Sequence, residues 1–381
     1  MLRSTALAGL LLASAPLGAN AAYDILKSYS GQTFFDDWSF YGHYDNLTNG
    51  DAIFVNQSAS GSLAYINDAG NAIIKVSQDE VVYNNKRDTV RIQSQDAYDI
   101  GSLWVYDAVH VPYGCSVWGA MWSQAAQWPQ GGEIDTYESV NLQTNNQMAL
   151  HTTDGCTAVN ASSSVAFDGT LTYANCNKDV NSNSGCTAVD PNANSDGEAF
   201  AAAGGGMWAT ELSTDGVKIW FFTRSAVPTD LSSNSSSIDP TSWGNPTFFV
   251  PTSSCDTSKY FAAQHLVIDI TLCGDWAGNN QTLAQTGCAL TTEPLCYTQY
   301  VLNSSNYDNA YFEIPSVRVY KDPSVASTSS SSSSSSGKNS TSGSNATTGG
   351  TNSATKFGAG PKHVLAVVAT SMVAVGLAVL V

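Results

Sequence analysis

Glu133, Asp135 and Glu138 place three carboxylates within six residues, in a run from Trp128 to Asn141 that otherwise reads as a β-strand. Side chains on a strand alternate between faces. Glu133 and Asp135 therefore share a face, and Glu138, five residues from Glu133, has the wrong parity for it. A β-bulge between Asp135 and Glu138 would absorb one residue and return Glu138 to the row. Like-charge repulsion makes such a row costly, so stability does not explain it. Close like charges raise at least one pKa, so one carboxyl can stay protonated near working pH. One ionised carboxylate and one protonated acid about 5–5.5 Å apart is the pair that glycoside hydrolysis with retention needs. Two other readings stand beside it: a Ca²⁺ site, which also gathers carboxylates, and an edge strand with solvated acids.

Trp118, Trp122 and Trp128 precede the acids. Indole faces suit the apolar faces of sugar rings, while core packing is the competing reading for any one of them. The elements that must position these groups read as strands. Short β-branched or aromatic runs recur at 72–76, 89–92, 103–111, 117–122, 133–140, 148–152, 208–212, 217–223, 266–272 and 311–320. Gly, Asn, Asp and Ser separate them, and Asp215-Gly216 is a hairpin signal. No long segment keeps a helical period. The pattern predicts an all-β sandwich or barrel in one domain, with insertions at 154–206 and 228–262.

The chain has 381 residues, 43% hydrophobic and 12% charged, too apolar for a disordered chain. Fifteen Lys and Arg against 32 acids argue against a nucleic-acid partner. Residues 1–22 read as a secretory signal, with Arg3, an apolar core at 7–12 and Ala19-Asn20-Ala21 for cleavage. Residues 323–362 form a Ser/Thr-rich stalk, and 363–381 an apolar tail. Small residues, a polar spacer and that tail fit a GPI-attachment signal, with the site near Gly350 or 352–354. A retained tail helix is the alternative. The expected location is secreted, at the cell surface, with membrane attachment only through the anchor. Residues 23–322 then hold 11 Lys and Arg against all 32 acids, a balance of −21. They also hold all eight cysteines, which read as disulfides rather than a zinc site because no CxxC pair occurs. Eight cysteines allow 105 pairings. Cys176–Cys186 and Cys288–Cys296 are the local candidates. N-x-S/T sequons, among them those at Asn46 and Asn234, support a secretory route.

The run Gly132–Glu138, with Trp128-Pro129 before it and Val140-Asn141 after, resembles the active-site strand of glycoside hydrolase family 16. It has the bulged E-x-D-x-x-E form of laminarinase-like members. The runs 89–92, 110–112, 118–122, 150–153, 215–224 and 273–278 occur in that family's usual order and resemble fungal endo-1,3(4)-β-glucanases. Gly119 departs from many relatives, which carry Pro there. The resemblance implies a jelly-roll sandwich of two antiparallel sheets with a concave cleft for a β-1,3- or mixed β-1,3/1,4-glucan. It implies Glu133 as nucleophile, Glu138 as general acid and base, and Asp135 as their assistant. It offers His151, Trp118, Trp122 and Trp276 as substrate-contacting residues, and a disulfide at Cys273 that pins the loop at Asp275-Trp276. No cofactor is implied, the metal set is empty, and nothing suggests an oligomer. A wall-glucan transglycosylase and a non-catalytic glucan-binding module are the alternatives.

Overall fold

The computed structural model describes residues 22–325, apart from 163 and 234. The signal up to residue 21, the sequon at 234, the stalk from 326 and the apolar tail lie outside the described residues.

Two antiparallel sheets carry the architecture. In the eight-stranded sheet the strands run in the order Thr170–Tyr173, Cys186–Val189, Gln147–His151, Glu133–Val140, Val117–Ala125, Gln264–Leu272, Arg91–Ser94 and Trp38–Phe40. In the seven-stranded sheet the order is Ser237–Ile238, Tyr23–Ser30, Ser316–Lys321, Ser102–Ala108, Gly206–Ser213, Gly216–Thr223 and Phe248–Pro251. Two three-stranded sheets complete the fold. Every predicted strand is present, and Glu133–Val140 has the predicted limits. The hairpin forms with Ser213 opposite Gly216. Two predicted runs divide between sheets. The 311–320 run breaks at Pro315, which has no N–H to continue a ladder. The 89–92 run breaks at Val90.

Alternation sorts the two faces of the larger sheet. Val117, Met121, Ile134, Tyr137, Leu150, Leu266 and Ile268 point into the shared core, where they meet Trp104, Tyr106 and Trp208 of the other sheet. Trp118, Ala120, Trp122 and Gln124 therefore take the opposite face. A second apolar cluster covers the outer face of the seven-stranded sheet. Leu103, Val105, Met207 and Trp220 pack there against Leu231, Ile238 and Trp243 of the 228–262 insertion. This cover explains why Ser102–Ala108 is buried at every position. The 154–206 insertion supplies two strands that extend the eight-stranded sheet beyond Gln147–His151.

All eight cysteines are paired: Cys115–Cys288, Cys156–Cys255, Cys176–Cys186 and Cys273–Cys296. The local pair Cys176–Cys186 forms as expected, but Cys288–Cys296 does not. Each has a more distant partner beside the eight-stranded sheet: Cys288 reaches Cys115, two residues before Val117–Ala125, and Cys296 reaches Cys273, just after Gln264–Leu272. Cys273 does tether the loop bearing Asp275 and Trp276. Cys115 and Cys288 are 173 residues apart. Replacing both by Ser should cost roughly 2–4 kcal/mol, because the unfolded chain regains that loop's freedom. Thermal denaturation reads the effect, and an unchanged Tm would contradict it.

Candidate active site

The bulge is where parity requires it. Glu138 lies opposite Ala120, Tyr137 opposite Met121 and Asp135 opposite Trp122, which leaves Thr136 as the extra residue. On the other neighbour, Asp135 faces Ala149 and Glu138 faces Gln147, again one residue in excess. Thr136 turns into the core and shares a hydrogen bond with Thr210 of the opposite sheet, at 2.6 Å. A bulge takes backbone groups out of the ladder, and buried ones must be satisfied elsewhere. Asn146 does this. Its Nδ2 donates to the Thr136 carbonyl and its Oδ1 accepts from the Glu138 N–H, both at 3.0 Å. Asp196 braces the same strand from the core side by accepting from the Tyr137 and Ser139 hydroxyls. Glu133, Asp135 and Glu138 thus share the face opposite the core.

Their surroundings set the charges. Burial raises the Glu133 carboxyl above its ordinary value, against the His151 charge and the Trp128 indole N–H, which donates to Glu133 Oε2. Burial, then the Glu133 charge, push Asp135 well above the carboxylate range. Burial, then the Asp135 charge, push Glu138 up to about 8. The Trp118 indole N–H donates to Glu138 Oε1 at 2.9 Å and works the other way, favouring the ionised form. His151 Nε2 stands 3.3 Å from Asp135 Oδ2 and 4.0 Å from Glu133 Oε1. Burial alone would lower its pKa, but the carboxylates around it outweigh that and raise it to about 10. Its Nδ1 lies 3.2 Å from Asn183 Oδ1, which orients the ring. Glu133, Asp135 and His151 bring one ligand atom each within 4.8 Å of one another, a spacing that could hold a cation. An imidazolium has no lone pair to ligate, so the protonated His151 opposes that use.

All the expected site residues meet here. Trp118 bonds Glu138 directly, and Trp276 packs edge-on against Trp118 with ring centroids 5.5 Å apart. Trp122 donates its indole N–H to Asp269 Oδ1 at 2.8 Å. Three further residues, Asn146, Asp269 and Arg91, belong to the site and were not expected there, and a fourth, Trp128, has a role that was not expected. Trp128 was read as a candidate sugar-facing indole but not as a partner of Glu133. Asn146 has no motif. Asp269 and Arg91 look like ordinary strand residues, 178 positions apart, yet they pair across adjacent strands, with Arg91 Nη1 3.3 Å from Asp269 Oδ2. The Arg91 guanidinium also lies over the Trp122 ring at 4.9 Å. Only strand register could have found the last two.

Comparison with known proteins gives the following. The family model for XgeA-like catalytic GH16 domains matches residues 38–320. A probable glycosidase of Schizosaccharomyces pombe is 36% identical over 302 residues, which cover 78% of this chain and 69% of that protein. A probable endo-1,3(4)-β-glucanase of Neosartorya fischeri is 35% identical over 339 residues, 85% of this chain but 50% of that protein. The chain thus spans about half the length of this second relative. Among solved structures, laminarinase 16A of Phanerochaete chrysosporium, described with β-glucans in both donor and acceptor sites, is 34% identical with a TM-score of 0.74. The match covers 79% of this chain and all of that one. An elongating GH family 16 β-1,3-glucosyltransferase is 32% identical with a TM-score of 0.71, over 78% of this chain and all of that one.

The Trp118 bond gives a direct check on the electrostatics. Trp118→Phe removes a donor that favours ionised Glu138, so Glu138 should titrate higher than in the unaltered protein. ¹³C-carboxyl NMR reads this shift, and a lowered or unmoved Glu138 would contradict it.

Proposed function

The chain belongs to glycoside hydrolase family 16, and from that premise we propose that it is a retaining endo-β-glucanase acting on β-1,3- or mixed β-1,3/1,4-glucans. One observation carries the reading: the bulge, clamped by Asn146, aligns Glu133 and Glu138 on one face with unlike surroundings. Glu133 has the His151 cation, the Trp128 N–H and the Arg91 charge in its favour as a carboxylate. Burial, then the negative charge of Asp135 and last that of Asp269, raise Glu138 against the His151 charge and the Trp118 N–H, so that it keeps a proton. Groups pushed apart in this way take opposite acid–base roles.

The mechanism follows from that division. Glu133 attacks the anomeric carbon as Glu138 passes its proton to the departing glycosidic oxygen, leaving a glycosyl ester on Glu133. Glu138, now ionised, takes a proton from water. The water oxygen attacks the anomeric carbon, the ester bond breaks, and the β configuration is restored. Asp135 and the His151 imidazolium hold Glu133 in place and balance its changing charge. Trp118, Trp122 and Trp276 supply ring faces for sugars along the floor. A second reading is glucan transglycosylation, in which a sugar hydroxyl replaces the water. The likeness to the elongating glucosyltransferase favours it. We place the protein outside the cell on the terminal signals alone. Release from intact cells by a phosphatidylinositol-specific phospholipase tests the anchor, and retention after a control protein is freed would exclude it.

The anomeric configuration of new chain ends, followed by NMR on laminarin and on barley mixed-linkage glucan, tests the chemistry. New β-anomeric ends on short oligosaccharides are expected. Rearranged chain lengths without new reducing ends would select the transglycosylase, and binding without any change would leave a binding module. Glu133→Gln should lose on the order of 10³-fold or more in kcat. Glu138→Ala should lose roughly 10²–10⁴-fold on glucans but far less on substrates with a good leaving group. Equal losses on both substrate types would remove Glu138 from the acid role.

A further inference from the structure

One loop beside the acid cleft is built around a carboxylate that the chemistry above does not use. Asp45 is 2% exposed and accepts five hydrogen bonds. Its Oδ1 accepts from the Leu47 N–H at 2.9 Å and the Thr48 N–H at 3.0 Å. Its Oδ2 accepts from the Gly50 N–H at 3.0 Å and from the Thr48 and Thr271 hydroxyls at 2.6 Å each. Burial alone would raise its pKa, but these donors outweigh it and hold the carboxyl below its ordinary value. Thr271 lies directly opposite Trp118, so the two share the cleft face. The packing is so close that a Cβ at Gly50 would strike both the Thr271 hydroxyl and the Asp45 carboxylate.

The loop folded in this way holds a second one. The Thr48 carbonyl accepts from the Asp275 N–H at 2.9 Å, and Asn49 Nδ2 donates to both Asp275 oxygens at 3.0 Å. Asn49 does this at a φ of 57°, a left-handed conformation that Asn tolerates. Gly274, at a φ of 66°, lets the Thr48 carbonyl approach so closely that a Cβ there would stand 2.6 Å from it. Trp276 follows Asp275 on the short helix Gly274–Ala277, and its ring closes edge-on against Trp118. The Cys273–Cys296 disulfide anchors the start of this segment, and the bonds to Asp275 hold the residue next to the indole. We propose that Asp45 is a positioning residue: through Thr48 and Asn49 it sets where Trp276 stands, and so how well sugar rings are held beside Glu138. The inference rests on the reading of the acid cleft as a glucan site. A carboxylate suits the task because it only accepts. An amide of the same size would offer one oxygen and turn N–H groups toward other donors.

The test uses the full chain and laminarin. Asn49→Gly keeps the left-handed backbone and the Asp45 bonds but cuts the side-chain link to Asp275. It should raise KM about 3- to 10-fold and leave kcat within about two-fold, as a misplaced ring contact would. Asp45→Asn should raise KM at least as much, and if that variant does not fold, Asn49→Gly decides alone. In a Trp276→Ala background neither change should move KM by more than about two-fold further, because the ring they position is gone. The indole N–H signals of Trp118 and Trp276, read by NMR after ¹⁵N labelling of tryptophan, should shift in Asn49→Gly. An equal rise in KM with and without Trp276, an unmoved KM, or unmoved indole signals would each overturn the proposal. If the unaltered chain neither hydrolyses nor transfers laminarin, the catalytic reading fails. Retardation of the same variants in laminarin-containing gels then replaces KM, and the same outcomes decide the role of Asp45.

Discussion

Two hydrogen bonds from one buried amide hold the site together. The bulge on Glu133–Val140 leaves the Thr136 carbonyl and the Glu138 N–H without ladder partners, and Asn146 satisfies both. An unsatisfied buried polar group costs about 1–3 kcal/mol, so the bulge would otherwise favour closing into a regular ladder. A regular ladder turns Glu138 toward the core and leaves only Glu133 and Asp135 on the cleft face. Asn146 is itself anchored, its N–H donating to Ser195 Oγ at 3.0 Å. The 154–206 insertion thus reaches the chemistry through Ser195 behind Asn146, Asp196 behind the acid strand and Asn183 beside His151.

The charge pattern of the floor depends on that alignment. Four acids, Glu133, Asp135, Glu138 and Asp269, stand with two cations, Arg91 and His151. Each of the four carboxyls is raised, with burial as the first cause. Two cations cannot neutralise four buried anions, so the cluster keeps protons that a solvated cluster would lose. The cations lie toward Glu133, Asp135 and Asp269, and Glu138, facing the remaining negative charge, keeps its proton. The uneven placement of the cations, rather than any one contact, separates the two glutamates.

Much of this was legible in the residue string because its physics is local. Parity along the acid strand demanded a bulge, and the strand's limits and the Asp215-Gly216 hairpin followed from alternation and turn chemistry. Cys176–Cys186 was legible because ten residues separate its ends. Long-range features were not. Cys115–Cys288 and the Arg91–Asp269 pair depend on sheet order, which no local pattern encodes. Tyr23–Ser30 escaped notice because its exposed middle breaks the alternation of a half-buried strand. The outer apolar cover at Leu231, Ile238 and Trp243 was read only as an insertion, since its partners Tyr23, Leu103, Val105, Met207, Trp220 and Tyr320 come together only through the order of the strands.

One row crosses the larger sheet from Glu138 through Ala120 and Asp269 to Arg91, with one gap in its relief. Between Glu138 and Asp269 stands Ala120, flanked along its own strand by Trp118 and Trp122. Two indoles and two carboxylates surround a single methyl group, the smallest side chain of the row. One residue therefore sets how far a ring can sink between the walls, and a bulkier one would turn a trough into a sill. Position 120 is thus a constraint on the shape of the floor, independent of the acids beside it.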